Sequence, residues 1–297
     1  MQGAAPAHRN PLAPAPGARR RRLINRAMEG VATVAAALAV AVLLLVVISV
    51  LIKGLPAINL DFLTKNPAPF GQRGGGIANS IVGSAILIGL ASAMSVPVAV
   101  LIAIFTSEFA GRRTAGAIRF ALDILNGVPT IVTGVFVFGL IVYGARQSGW
   151  AGGIALAVIE LPIVARSAQE VLELVPRSLR EAGLALGLRR WRVVLRIVLP
   201  TAAGGLITGA VLGVARVAGE TAPLLFTSSI FSNFGLTTNP AQAMPNIPVT
   251  IFGLSESPSP SDHAAAWAAA LVLIAFVLLL SIVARSFHER SRSRLRG

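Results

Sequence analysis

Six stretches of the chain are almost wholly apolar, and arginine, glycine, proline and serine concentrate between them. They run about 31–52, 77–105 (interrupted by Pro97), 120–143, 150–172, 199–226 and 264–287. Each approaches the roughly 20 helical residues that cross a bilayer. A helix satisfies its own backbone polar groups in lipid, so the pattern predicts an all-α membrane protein with six transmembrane helices. The fourth stretch is the least apolar, because it carries Glu160, Pro162 and Arg166.

Composition supports this reading. Of the 297 residues, 55% are hydrophobic and 13% charged, against about a quarter charged in soluble domains. Too little polar surface remains to cover a water-facing globule. There is no cysteine, which excludes disulfides and thiolate metal sites. A net charge of +14 would suggest nucleic acid on a soluble protein. Here the arginines sit between apolar runs and are not interleaved with aromatics, so no nucleic-acid partner is expected.

The placement of charge orients the spans. Most of the 26 basic residues fall in the N-terminal tail, the second-to-third connection, the fourth-to-fifth connection and the C-terminal tail. The alternate connections carry just Lys53, Lys65, Arg73 and Arg146. By the positive-inside rule both termini are cytoplasmic. Residues 1–28, rich in Ala, Pro and Arg, read as a disordered basic tail. The apolar run after Arg22 is too long for a signal core and reads as a retained first span. A transmembrane domain over 29–287, with a cytoplasmic loop of about 173–199, and a basic tail over 288–297 complete the plan. The external connections 53–76 and 227–263 are rich in turn formers. The second exceeds the length of ordinary connectors and is expected to dock an external partner.

The cytoplasmic loop is the most informative segment. Glu181-Ala182-Gly183 is followed after three residues by Gly187, and nine residues later by Ile197-Val198-Leu199-Pro200. A short helix from Arg180 to Leu186 would end at Gly187 in a positive-φ cap. Leu188 to Val198 resumes an amphipathic pattern, with Trp191, Val194, Leu195 and Val198 apolar among arginines. Two short helices and a glycine bend form a knob suited to a cleft on a soluble partner. The spacing resembles the EAA signature of ABC importer permeases, with Gly183 in place of the third small residue. A basic amphipathic loop on anionic lipid would account for Trp191 and the arginines, but not for Glu181 and Gly187 at these offsets.

Ionisable residues inside spans point to function by default. Arg216 and Glu220 lie four apart on the fifth span, on one helical face, and Pro223 weakens the helix just beyond. Arg166 lies on the fourth span. Asp123 is expected at the start of the third, favoured by the helix dipole. Asn79 and Ser80 are expected to cap or pack. Gly83, Gly134, Gly209 and Gly213 are expected to permit close helix contacts, the last two being four apart.

The run from Ala215 to Leu225, with Gly219-Glu220-Thr221-Ala222-Pro223 at its centre, resembles the fifth-span signature of PstA-type phosphate permeases. Leu161-Pro162-Ile163-Val164-Ala165-Arg166 is similar to their fourth span, and Asn126-Gly127-Val128-Pro129 to part of their third. The resemblance extends from about Ile77 through the last span. It implies the type I ABC importer permease fold in a bacterial inner membrane, with Glu181, Ala182, Gly183, Gly187 and Trp191 coupling to an ATPase. It also implies three partners: a companion PstC-type permease, a dimeric PstB-type ATPase and an external PstS-type phosphate-binding protein. Arg216 and Arg166 would then guide phosphate, and Glu220 would hold Arg216. Glu220 as a purely structural counter-ion is the competing reading.

Lys53 and Lys65 are the only lysines, and neither closes a phosphate-cradling loop. ATP and Mg therefore belong to the separate ATPase, and no cofactor is expected in this chain. His8, His263 and His288 lie at ends or edges of spans and build no catalytic constellation, so the chain is not expected to be an enzyme. A passive channel conflicts with the loop around Glu181. Within the importer class, sulfate or molybdate remains the alternative substrate.

Overall fold

The computed structural model describes residues 18–68, 74–229 and 235–294, with side chains between 20 and 282 within those limits. The tail segments 1–17 and 295–297 and the basic residue Arg73 lie outside the described residues, as do the side chains of Arg19, Arg285 and His288. In chain order the helices are α1 (Ala18–Gly54), α2 (Leu60–Thr64), α3 (Ala78–Ile104), α4 (Arg112–Gly127), α5 (Thr130–Val137) and α6 (Gly149–Glu173). There follow α7 (Arg177–Ala185), α8 (Arg190–Val193), α9 (Leu199–Ala218), α10 (Ala222–Thr227), α11 (Ile247–Ser255) and α12 (Pro260–Arg294). No strand occurs among the described residues beyond one isolated bridge, Pro67 to Gly75. Packing divides the chain into two units, Met1–Leu51 and Ile52–Gly297.

The described part of the first unit lies in the apolar helix α1, which begins at Ala18, inside the expected disordered tail of 1–28. Alanine and arginine are strong helix formers, and a helix nucleated in the apolar run extends at little cost per added residue. The helical backbone of α12 likewise runs on to Arg294, through most of the expected C-terminal tail.

Five helical segments of the described residues are long and apolar enough to cross a membrane, and a bent pair brings the number to six. The bent pair corrects the third expected span. Rather than one helix over 120–143, α4 and α5 meet at 94°. Pro129 drives the residue before it out of the α region, and Val128 is extended at φ −70°, ψ 127°. Asp123 therefore lies in the last turns of α4, not at the start of a span. The fifth span also departs from expectation. It starts at α8, continues through a π-turn (Val194–Val198) into α9, and breaks at Glu220–Thr221 before α10. The second short helix of the expected knob is thus the foot of this span.

The fourth stretch, the least apolar, is an unbroken helix and the most enclosed of all. In α6, 61% of the spanning window is buried, against 28% or less in the other four unbent spans. It packs on α3, α9, α4, α10 and α5. Glycine lets α9 approach it. A Cβ on Gly205, Gly209 or Gly213 would stand within 2.5 Å of Val171, Ser167 or Val164 respectively. This is the small-residue contact expected for Gly209 and Gly213, extended by one turn.

The long external connection is largely folded. Gly149 and Trp150, at the start of α6, have N–H groups with no partner within the helix; they donate to the carbonyls of Gln242 (2.8 Å) and Pro240 (3.0 Å). The connection then forms α11, capped by Asn246, whose side chain accepts from Val249 N at 3.0 Å. The hydroxyl of Ser84 on α3 accepts from Ile247 N at 2.8 Å.

Gly83 is the tightest of these contacts: a Cβ there would lie 1.9 Å from the carbonyl oxygen of Pro245. Gly83→Ala is expected to lower stability by about 1–3 kcal/mol. Gly89→Ala, inside α3 with nothing within 4 Å of the new methyl, should keep it or raise it by up to about 1 kcal/mol. Thermal unfolding of the two variants in detergent compares them.

Candidate functional site

At the arginine-rich end of the spans, α7 leaves α6 after Pro176 and stops at Gly187. Gly187 takes φ +78°, the conformation expected of it. The N–H of Leu188 donates to Gly183 O (3.2 Å) and that of Gly187 to Leu184 O (2.9 Å). These two bonds close the last turn and satisfy carbonyls that a helix end leaves free.

The two faces of α7 differ. Glu181, Ala182, Leu184, Ala185 and Leu186 are exposed, Leu184 at 49% and Leu186 at 82%. Trp191, at the foot of the fifth span, is 49% exposed, with the Arg192 guanidinium 5.2 Å from its ring centroid. Apolar side chains clustered at a water-facing end fit a protein interface. On the inner face Gly183 is buried, and a Cβ there would stand 2.7 Å from Ile197 and 3.1 Å from Val193. At Gly183, where the signature has a third small residue, α7 therefore packs closely on the foot of the fifth span, and a methyl there would require the Ile197 side chain to move.

Sequence reasoning missed Arg180 and Glu108. Glu108 lies in a π-turn (Phe105–Phe109) that ends α3, and it is buried. Arg180 donates to its Oε1 from Nε (2.9 Å) and Nη2 (2.7 Å). The same guanidinium donates to the carbonyls of Leu172 and Val175 at the end of α6. The partners are 72 residues apart, so no local spacing could have signalled the pair.

Within the bundle, Arg216 pairs with Glu220. Arg216 occupies the last turn of α9, where the helix dipole favours a cation. Its side chain is 56% exposed, while that of Glu220, in the break before α10, is 7% exposed. Arg166 pairs with Asp123 of α4, Nε to Oδ1 3.1 Å. The structure does not bring Arg166 and Arg216 together on one carboxylate. Gly209 faces Ser167, so Arg216 stands about 9 Å further along the helix axes than Arg166 at 1.5 Å per residue. Two guanidinium groups, each part-neutralised by one carboxylate, thus occur at different depths. Glu160 on α6 is wholly buried and accepts from Ser92 at 3.0 Å and 3.2 Å.

Residues 95–296 match the family model described as binding-protein-dependent transport system inner membrane component. The chain is 41% identical over 253 residues to the phosphate transport system permease protein PstA of Yersinia pestis, covering 84% of this chain and 85% of that one. It is 39% identical over 277 residues to the PstA protein of Xylella fastidiosa, covering 92% and 96%. This chain belongs to that family of transport permeases, as a PstA-type member. Its fold is that of a chain in a crystal structure of a bacterial alginate ABC transporter, with TM-score 0.64 at 15% identity, covering 91% of this chain and 96% of the other. The fold is accordingly that of the type I ABC importer permeases, as the EAA-like loop implied, and the permease is a multi-pass membrane protein.

The absence of native cysteine allows a direct test of which charges face water. In the purified permease, Arg216→Cys is expected to react with a water-soluble maleimide at least about tenfold faster than Glu220→Cys, because cysteine reactivity follows exposure. Equal and slow labelling would place Arg216 against lipid.

Proposed function

We propose that this permease forms half of the membrane pathway of an ATP-driven importer of inorganic phosphate. The observation that carries the reading is the two accessible guanidinium groups, Arg216 and Arg166, on helices of the membrane bundle. Phosphate bears one to two negative charges, and guanidinium groups replace its hydration with charge-assisted hydrogen bonds. Glu220 and Asp123 moderate each arginine, so the anion is held without being trapped. The naming of the relatives as phosphate permeases supports phosphate over sulfate or molybdate.

Arginine placement puts α7 and both termini in the cytoplasm. There the exposed face of α7, with Glu181, Ala182 and Leu186, and the neighbouring Trp191 receive a dimeric PstB-type ATPase. ATP and Mg are bound by that partner, and this chain has no ATPase site of its own. A PstC-type permease supplies the other half of the pathway. A PstS-type binding protein delivers phosphate to the external face, where the segment 235–246 caps α6.

The test is uptake of labelled phosphate by the reconstituted complex. Uptake should require ATP and resist sulfate and molybdate. Arg216→Gln should reduce it about 10- to 100-fold, the scale of a lost charged hydrogen bond, with assembly intact. Wild-type uptake in that variant would remove Arg216 from the pathway, and competition by sulfate as strong as by phosphate would overturn the substrate.

A further inference from the structure

The buried pair of Glu108 and Arg180 lies outside the charged pathway and outside the exposed docking face, yet it joins three helices. Arg180 precedes Glu181 directly, so the docking face and the buried guanidinium belong to one turn of α7. Its side chain is 19% exposed and that of Glu108 6%. The guanidinium meets two negative helix ends at once. One is the end of α3, which also carries the Glu108 carboxylate. The other is the end of α6, where it takes the Val175 carbonyl and the Leu172 carbonyl, the latter also accepting from Val175 N–H at 3.3 Å. Each helix end alone favours a cation through its dipole. Brought together without one, they would repel each other.

We propose that Arg180 is the positioning residue that transmits movement of α7 to the spans, with Glu108 as its anchor. The inner face of α7 has two kinds of attachment. Gly183 touches Val193 and Ile197 by packing alone, a contact that can slide. Arg180 instead makes four directional hydrogen bonds, to the end of α3 and to the end of α6. A displacement of α7 therefore draws both helix ends with it. Arg166 lies on α6 six residues before Leu172, about 9 Å along the helix, so the same displacement reaches the Arg166–Asp123 pair. A second tie, Gln169 Nε2 to Thr106 Oγ1 at 2.7 Å, keeps α6 and the end of α3 in step.

The geometry demands arginine. Its planar fork addresses a carboxylate and two carbonyls in fixed directions, whereas an ammonium is a single point charge on a flexible stem. Arg180→Lys keeps the charge beside Glu108 and gives up the carbonyl bonds. Glu108→Gln keeps shape and an acceptor oxygen and gives up the charge.

This inference rests on α7 being the site where the ATPase docks. The experiment uses the full complex in proteoliposomes with Arg180→Lys, Glu108→Gln and, separately, Leu186→Arg on the exposed face. The readouts are retention of the ATPase, basal ATP hydrolysis, and ATP consumed per labelled phosphate imported. For Arg180→Lys and Glu108→Gln the ATPase should stay bound and basal hydrolysis should stay within about twofold. ATP consumed per phosphate should rise about tenfold, within the usual span of coupling between sites. An unchanged ratio, whether uptake is normal or falls in parallel with hydrolysis, overturns the proposal. Failure of both variants to assemble also overturns it, since the contact would then serve assembly and not transmission. Leu186→Arg should release the ATPase. If the ATPase remains bound there, docking at α7 is what fails.

Discussion

A polar group that enters the bundle is favoured by a partner inside the protein, because lipid offers none. Nearly all the architecture around α6 follows from that constraint. The helix carries Glu160, Pro162, Arg166 and Gln169, a set that would be costly on a lipid-facing span, and it is the most enclosed helix of the bundle. Its neighbours present hydroxyls or small residues where they are needed. Ser92 meets Glu160, Thr106 meets Gln169, and Asp123 meets Arg166. Glycines of α9 bring that helix close enough to shut out lipid. At the end of α6 away from the arginine-rich face, carbonyls of a folded connection take the free N–H groups.

The two breaks in the spans are related in space. α5 follows the bend at Val128–Pro129, α10 follows the break at Glu220–Thr221, and the two short helices pack together. Gly134 of α5 sits against Pro223 of α10, where a Cβ would come within 2.6 Å of the proline Cα. Gln147 then donates to the Leu225 and Phe226 carbonyls at the end of α10 (3.2 and 3.1 Å). These contacts and hydrogen bonds tie the two short helices together and brace the irregular backbone before them. Glu220 occupies one of these breaks, so its carboxylate is buried while Arg216 reaches outward. A transport role and a structural role for Glu220 are therefore compatible: the buried carboxylate fixes the direction in which the arginine points.

At the arginine-rich end, helix ends gather and their dipoles add. Arg180 answers the ends of α3 and α6, Arg119 pairs with Glu173 at the end of α6, and Arg190 stacks 5.5 Å from the centroid of Phe109. The same residue type thus does two separate jobs. On the surface, arginines gather by number at one end of the spans. Buried among helix ends, a single arginine organises the attachment of α7.

What the sequence determined by itself was local or additive. Apolar runs of span length, the sidedness of arginine, the positive φ at Gly187, the contact spacing of Gly209 and Gly213, and the shared face of Arg216 and Glu220 all depend on neighbours within one or two helical turns. Fold class followed from these, and the family from the resemblance of the runs from Glu181 to Pro200 and from Ala215 to Leu225 to known permeases. Tertiary structure alone decided the partners of Arg166 and Arg180, the enclosure of α6, and the capping of α6 by residues 240 and 242. Helical periodicity says which residues share a face, but not which helix that face will meet. The close packing of Gly183 on the foot of the fifth span and the burial of Glu108 became visible once α7 was seen against its neighbours, because both depend on contacts outside its own helix.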